Sequence, residues 1–482
     1  MKRLIPILLA GTALAGCAVG PRYQAPVTPA NGSGPFASAP SGPTSAEASS
    51  PTWWRLYDDP VLDHLVEQAL TENSDLKAAA ANLAYAEALV GEARSNQLPS
   101  TTLTAGPQYG RSAAANAQAI AAGKSHAPSA WTFSTGFGAA YQVDLFGQIR
   151  RGIEAAKANA GAAQAAEDAV RVTVASETAS AYAQACGFAA QAAVARSSLA
   201  AAQDTFDITQ RQRQAGAVSD FDLARAAAAL EQARAAVPVL DGQRRVALLE
   251  LTALLGRTPS EIPPEAAACQ AIPRLSQPVP VGDGAALLRR RPDVRQAERA
   301  LASETAKIGV AVAEYYPNVS LGGSIADAGG SFRALGQPGS ISYSVGPLVT
   351  WSFPNIALAH AHVAEAKAQA SASLANFDSA VLQALKETEQ ALTSYGAEID
   401  RNVALKAAAD RSDEALRLAR VQYGAGSISL LDLLVAQTTA NAADQALAAS
   451  NQQLALDQVA VFQALGGGWE QAPAVKAPRV AG

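Results

Sequence analysis

Apolar and polar side chains alternate along four stretches of the chain, residues 100–110, 131–144, 318–327 and 340–353. In the second stretch the odd positions carry the large apolar side chains Trp131, Phe133, Phe137, Tyr141 and Val143. In the fourth stretch they carry Ile341, Tyr343, Val345, Val349, Trp351 and Phe353, and most intervening positions are serine, glycine or threonine. A repeat every two residues predicts β-strands with one apolar and one polar face.

The same alternation is typical of a half-buried sheet in a soluble protein, which is the alternative interpretation. Three features favour membrane-spanning strands instead: their length, the aromatic residues near the ends of the apolar faces, and the small polar residues on the opposite faces. Because the smallest known transmembrane β-barrels have about eight strands, four strands cannot close one. The sequence therefore predicts an α+β membrane channel whose barrel is shared between chains.

The segments after the strands are patterned for long helices. From Gly147 to Gln214 the chain has 68 residues without proline, enough for a helix of about 100 Å at about 1.5 Å per residue. Apolar residues recur every seven positions at Leu223, Leu230 and Val237, and again in the second half of the chain. Heptads predict coiled-coil packing. We expect two helical hairpins, over residues 147–256 and 355–466.

The chain is internally duplicated. Residues 215–219 read AGAVS and residues 425–429 read AGSIS, and each segment is followed by the same Asp-Leu pair. A repeat this long indicates duplication of a whole module rather than a solenoid. The predicted organisation is a first repeat over 53–256, a linker over 257–284, a second repeat over 285–468 and a tail over 469–482.

The N-terminus has the pattern of a bacterial lipoprotein. Residues 1–16 combine a basic start with an apolar core, as a signal peptide does. The next residue, Cys17, completes the sequence Leu-Ala-Gly-Cys, which fits a lipid-attachment signal at every position. An ordinary signal peptide with an incidental cysteine is the weaker alternative. Residues 17–52 are rich in proline, glycine, serine and alanine and are predicted to be an extended, lipidated tether.

Composition narrows the function further. Lys and Arg number 37 and Asp and Glu 42, a formal net charge of −5, which is unlike a nucleic-acid-binding surface. Hydrophobic residues make up 49% of the chain but aromatic residues only 6%. Many of the other hydrophobic residues are alanine, which favours closely packed helices. The histidines at 64, 126, 360 and 362 form no metal-binding pattern, and no phosphate loop or nucleophile elbow is present. We expect no metal, no cofactor and no enzyme activity.

Five motifs together carry a family resemblance: PTWW at 51–54, NSDL at 73–76, YQVDLFG at 141–147, RRRPDV at 289–294 and GGGW at 466–469. With the lipoprotein signal and the duplication, the chain resembles the TolC/OprM-like outer-membrane factors, specifically the NodT-type efflux lipoproteins. The resemblance implies a homotrimer with a twelve-stranded outer-membrane barrel, continued by an α-helical coiled-coil tunnel through the periplasm, with the linker in its equatorial region.

The resemblance also implies partners and a mode of action. The partners would be a periplasmic adaptor protein and an inner-membrane pump of the resistance-nodulation-division class, with outer-membrane lipid around the barrel. Small molecules would cross the duct passively. Two rivals remain open: an exit duct for type I protein secretion, which shares the fold, and a coiled-coil lipoprotein spacer without a pore. A spacer has no reason to keep four amphipathic strands.

The turns of the two hairpins are the candidate functional site. Gly216 and Gly426 suit the positive φ at which long helices reverse, and Ser219 and Ser429 can cap the returning helices. In similar channels these turns form the periplasmic tip, where acidic and aromatic residues surround the closed aperture; the matching residues here are Asp222, Tyr423, Gly424 and Asp432. Relatives often carry a second acidic residue where this chain has Val435.

Two further cysteines raise a disulfide hypothesis. Cys186 lies 30 residues before Gly216 and Gly256 lies 40 after it, so the hairpin returns the linker to roughly the level of Cys186. Export to an oxidising compartment permits a bond between Cys186 and Cys269. Two buried free thiols, packed as small apolar side chains, are the alternative.

Overall fold

The computed structural model of the chain describes residues 18–27, 32–354 and 356–478. The chain divides into two compact units, each assembled from three segments. The sheet unit consists of Met1–Ala25, Tyr85–Gly161 and Glu298–Asn376, and the helix unit of Pro26–Ala84, Ala162–Ala297 and Phe377–Gly482. The predicted site at the lipid-attachment residue, Cys17, lies outside the described residues.

The described strands are β1 (Thr44–Ser45), β2 (Ser100–Gly110), β3 (Ala130–Val143), β4 (Val279–Pro280), β5 (Asn318–Gly329) and β6 (Ile341–Thr350). The described α-helices are α1 (Pro60–Glu72), α2 (Ser74–Ser95), α3 (Ala113–Ala121), α4 (Gln148–Gln214), α5 (Asp220–Leu254), α6 (Pro264–Ala267), α7 (Gly284–Arg290), α8 (Pro292–Ala313), α9 (Ile356–Gly424) and α10 (Leu430–Ala464). Short 3-10 helices occur at Trp53–Tyr57 and Phe332–Ala334.

The four longer strands form one antiparallel sheet in the order β2-β3-β5-β6. Its register aligns the apolar positions of every strand: Leu103 lies opposite Phe137, Phe137 opposite Ile325, and Ile325 opposite Tyr343. The next row consists of Thr104, Gly136, Ala326 and Ser342. Because side chains alternate between faces along a strand, the sheet has one apolar face and one face of small, mainly polar residues.

Two strand ends differ from the prediction by more than one residue. Strand β6 ends at Thr350 rather than at residue 353, because Trp351 leaves the ladder and donates its indole N–H to the carbonyl of Tyr315, 3.3 Å away. The proline at 354 also has no N–H with which to extend the pairing. Strand β5 continues two residues beyond the predicted 327, since Phe133 pairs with Gly329.

The long helices follow the prediction. Helices α4 and α9 have 67 and 69 residues, and the returning helices α5 and α10 have 35 each. Helix α5 continues through Pro238. Among the described helices, none is both long enough and apolar enough to cross a membrane.

The core of the helix unit gathers around the tryptophan pair that precedes α1. Trp53 is fully buried and stacks on Phe462 of α10, with ring centroids 4.8 Å apart. Trp54 is also buried and meets Trp53 edge-on. Leu65 and Leu70 of α1 complete the centre of this cluster. The PTWW motif thus marks a packing centre.

The predicted extended tether is wrong for the described part of residues 17–52, which is bound to the folded body. In the helix unit, β1 pairs in parallel with β4, and the amides of Ala37 and Ser38 donate to the carboxylate of Glu389 at 2.9 and 2.8 Å. These bonds outweigh the flexibility that the Pro, Gly and Ser content predicts, because they satisfy backbone groups that a free tether leaves to water.

Candidate functional site

The first hairpin turn reverses the chain within five residues. Helix α4 ends at Gln214, Gly216 adopts a φ of +74°, and the amide of Ala217 donates to the carbonyl of Gln212 at 2.9 Å. This is the closure that a left-handed residue gives to a helix end. Ser219 then caps α5, with its hydroxyl accepting from the amide of Asp222. Both residues that the sequence assigns to the turn geometry, Gly216 and Ser219, take those roles.

The second turn repeats this geometry 210 positions later. Gly426 has a φ of +70°, and the amide of Ser427 donates to the carbonyl of Gln422 at 2.8 Å. Ser429 caps α10 by accepting from the amide of Asp432. Gly424, another predicted tip residue, is the last residue of α9. The duplication is therefore visible in backbone detail as well as in sequence.

The two predicted tip carboxylates, Asp222 and Asp432, complete capping boxes. Each accepts from the hydroxyl and the amide of the preceding cap serine, at 2.7 and 3.2 Å in the first turn and 2.6 and 3.0 Å in the second. These hydrogen bonds from Ser219 and Ser429 lower the pKa of both carboxyls. Both side chains are therefore ionised at neutral pH while they cap their helices.

The copies have diverged at one pair of positions. In the first turn, Arg213 donates to both oxygens of Asp220 at 2.6 and 3.0 Å, and this ion pair lowers the pKa of Asp220. The positions 210 residues later hold Tyr423 and Leu430, so no such pair forms. Tyr423 instead donates its hydroxyl to Oε1 of Gln212 at 2.7 Å. The second turn therefore has a hydrogen bond to the other hairpin where the first turn has an ion pair within its own hairpin.

Sequence reasoning identified Tyr423 but missed Gln212, Arg213 and Asp220. Arg213 and Asp220 lie seven residues apart across a turn, and Gln212 lies 211 residues from its partner. Aligning the two repeats at their shared glycines places Tyr423 opposite Arg213, and that mismatch was the available signal.

A second candidate site lies in the sheet unit, where residues 19 and 20 are bound. Arg151 is buried, and its guanidinium donates to the carbonyls of Val19 and Gly20, each at 3.3 Å. The amide of Val19 donates to the carbonyl of Phe146 at 3.1 Å. A Cβ on Gly20 would lie 2.5 Å from the Cα of Gly309. We call this contact the N-terminal clip.

The RRRPDV motif has a structural role. Arg291 is buried in the helix unit, where its guanidinium bonds both oxygens of Asp293, Glu387 on α9 and the carbonyl of Ala464 on α10. These two carboxylates raise the pKa of Arg291 against the opposing effect of burial. The motif therefore joins the start of α8 to the middle of α9 and the end of α10.

Cys186 and Cys269 are joined by a disulfide in the structure, with Cα atoms 5.2 Å apart. The bond ties the linker to the middle of α4. Among the residues that the structure describes, no three His, Cys, Asp or Glu side chains are grouped so that they could hold a metal ion.

The chain has an antiparallel sheet with one apolar face, and two helical hairpins whose first helices, α4 and α9, exceed 60 residues. This is the architecture of an outer-membrane channel subunit. A family model described as outer membrane efflux protein matches residues 65–257 and again 285–467. The chain belongs to this family, whose members are channel proteins of the outer membrane.

Individual relatives agree. The chain is 32% identical to nodulation protein T of Rhizobium leguminosarum bv. trifolii, over 96% of this chain and 97% of that protein. It is 28% identical to the outer membrane protein OprJ of Pseudomonas aeruginosa, over 97% and 96%. It superposes on the solved outer-membrane channel OprN with a TM-score of 0.86 and 33% identity, over 94% of this chain and 100% of that one. The family, the fold class and the efflux function predicted from the sequence are confirmed.

Proposed function

We propose that three copies of this chain form the exit duct of a tripartite efflux system. The sheet carries the proposal, because its outer strands β2 and β6 each have only one neighbour among the described strands. An open edge cannot stay unpaired in lipid, since its N–H and C=O groups find no water there. Pairing β6 of one copy with β2 of the next closes twelve strands around a threefold axis, in the cyclic symmetry common for oligomers.

The two faces of the sheet support this closure. Leu103 and Tyr343, on the apolar face, are 77% and 83% exposed in the single chain, an exposure that lipid would relieve. On the opposite face, Ser324 and Ser344 form a hydroxyl bond of 2.9 Å, and neighbouring positions are glycine or threonine. Small polar side chains leave a water-filled lumen open.

The exposed apolar residues at the hairpin ends support a periplasmic adaptor as partner. Phe221 is 67% exposed in the first turn of α5, and Leu431 and Val435 are 44% and 57% exposed in α10. Such residues on an otherwise polar helix end mark a protein contact. Through that adaptor the duct would connect to an inner-membrane pump of the resistance-nodulation-division class, which supplies the energy for passive flow through the duct.

The duct itself is tested with purified protein in planar bilayers and with a deletion strain. Trimers should give discrete conductance steps, and deletion should increase sensitivity to toxic small molecules without changing the set of secreted proteins. Unchanged sensitivity together with a lost secreted protein would favour the type I secretion duct. Trimers that never conduct would favour the spacer.

The second turn is the proposed gate. Around a threefold axis, three copies of Asp432 and Tyr423 would surround the aperture, and the Tyr423–Gln212 bond would hold neighbouring hairpins together in the closed state. The Asp432 carboxylates, ionised by their caps, would repel one another unless water or cations separate them. The ring would then act as a cation-sensitive constriction, with Gly216, Ser219, Asp222, Gly424, Gly426 and Ser429 shaping the tip.

A double variant tests the gate. Asp432→Ala with Tyr423→Ala should raise resting conductance and weaken block by divalent cations, although Val435 leaves only one carboxylate per chain for the cation. Asp222→Ala is the matched control, because it removes the equivalent capping carboxylate from the first turn. Unchanged conductance in a double variant that still forms trimers would place the closure elsewhere.

We also propose that Cys17 is lipidated and anchors the mature chain to the outer membrane. The lipoprotein signal supports this, and the N-terminal clip begins two residues after that cysteine. Metabolic labelling with a fatty acid such as palmitate should mark the wild-type chain but not Cys17→Ser. Equal labelling of both would contradict the anchor, while trimers should persist in both because the strands hold the copies together.

A further inference from the structure

The edge of the sheet formed by the loops between β2 and β3 and between β5 and β6 combines aromatic rings with unpaired positive charges. Strands β2 and β3 are joined there by residues 111–129, and β5 and β6 by residues 330–340. The arginine and lysine side chains of these two loops are Arg111, Lys124 and Arg333, and all three are exposed. Among the described residues, no side chain or backbone group forms a hydrogen bond or ion pair with any of them. In a chain with a formal charge of −5, this edge is locally basic.

Acidic groups do not neutralise this edge. Its one carboxylate in the described residues is Asp327 at the end of β5, and one of its oxygens already accepts from the amide of Gly336 at 2.5 Å. That bond closes the loop between β5 and β6. In the proposed trimer each copy would bring this one carboxylate and three cations to the edge.

Four aromatic side chains connect the two loops. The ring of Tyr109 lies 5.4 Å from that of Trp131, Trp131 lies 6.4 Å from Phe133, and Phe133 meets Phe332 edge-on at 6.3 Å. Tyr109, Trp131 and Phe332 are 64%, 53% and 76% exposed. Aromatic residues clustered at one end of transmembrane strands are typical of the interface between hydrocarbon and lipid headgroups.

Two of the basic residues lie beside these rings. Arg111 follows Tyr109 by two positions and stands directly after the end of β2 at Gly110. Arg333 is adjacent in sequence to Phe332, whose ring packs on that row. Guanidinium groups at headgroup level meet phosphates with a geometry that allows two parallel hydrogen bonds.

We propose that Arg111 and Arg333, supported by Lys124, bind the phosphates of lipopolysaccharide in the outer leaflet. The inference rests on the proposed duct, which turns these loops toward the cell exterior. Lipid A, the membrane anchor of lipopolysaccharide, carries its phosphates at the boundary where the aromatic row ends. Its acyl chains would lie against the rings while the phosphates reach the two arginines.

The experiment measures binding of purified trimers to lipid A with both phosphates and to the same lipid after enzymatic dephosphorylation. Wild type should bind the phosphorylated form at least about tenfold more tightly, because hydrogen bonds to charged groups contribute about 1.5 kcal/mol or more each. Arg111→Gln with Arg333→Gln should remove that preference, and Arg111→Lys with Arg333→Lys should keep part of it. Arg420→Gln, an exposed arginine of α9 in the helix unit, is the matched control.

The outcomes separate this site from the duct. Equal affinity for both lipids, or a preference that survives in the glutamine pair, would overturn the lipid site. If the glutamine pair changed ion selectivity in bilayers but not lipid binding, the charges would serve the lumen and the proposal would be wrong. Failure of wild-type trimers to insert or conduct would contradict the proposed duct itself, which is checked in the same bilayers.

Discussion

Replacing Arg151 by alanine should release the N-terminal clip without unfolding the sheet. The side chain is 5% exposed and donates to two backbone carbonyls, those of Val19 and Gly20. Each charge-assisted bond contributes about 1.5 kcal/mol at the low end of the usual range, which is appropriate for bonds of 3.3 Å. The loss of about 3 kcal/mol corresponds to an opening equilibrium about 150-fold more favourable.

Hydrogen exchange followed by mass spectrometry measures this opening directly. The amide of Val19, bonded to Phe146 in the clip, should exchange about 150-fold faster in Arg151→Ala, since exchange reports local opening. Gly309→Ala should act in the same direction, because its new Cβ would lie 2.8 Å from the Arg151 side chain. The control is Arg150→Ala, an exposed neighbour. If the Val19 amide exchanged at the wild-type rate in both Arg151→Ala and Gly309→Ala, the reasoning would be refuted.

Three further predictions concern stability and redox state. Protein purified under oxidising conditions and unfolded without reductant should show no alkylatable thiol at Cys186 or Cys269, and two free thiols there would show that the disulfide does not form in the cell. Arg291→Ala should lower the stability of the helix unit by about 3 kcal/mol in denaturant titrations, because it strands two carboxylates that are only partly solvated; the exposed Arg289→Ala should have little effect, and equal losses would contradict the assignment. His362 lies 2.6 Å from Glu314, whose hydrogen bond and charge raise the pKa of His362. The contribution of this ion pair to folding stability is therefore complete below pH ~6.5 and is lost as pH rises through the folded-state pKa. Thermal melts across that range should show a fall in melting temperature that His362→Gln abolishes, and an identical fall in the variant would exclude the pair as its source.

Local patterns predicted the elements that local forces determine. Alternation located β3 between Ala130 and Val143 within one residue of its predicted bounds, because each inward or outward position is set by the residue itself. The helix caps at Ser219 and Ser429 could be predicted equally well, since a cap is a contact over three residues. The duplication and heptads gave the long hairpins for the same reason.

What the sequence did not reveal depends on contacts between distant segments. The tether looked flexible because nothing in its composition shows that Glu389 accepts its amides from more than 300 positions away. The Tyr423–Gln212 bond was missed because it joins two hairpins and has no counterpart at the equivalent position of the other repeat. Burial of Arg151 was invisible because an arginine in a polar helix start is usually solvated.

The two reversal glycines separate chirality from crowding. A Cβ placed on Gly216 or Gly426 would meet no atom within 4 Å, yet their φ angles of +74° and +70° lie where glycine is relaxed and an L-residue with a Cβ is strained. The requirement at these positions is therefore one of handedness and not of space. L-Alanine would therefore displace no neighbour at either turn, yet it would strain the backbone. The ends of the hairpins thus have unoccupied room where an L side chain would project, and the backbone conformation alone keeps it empty.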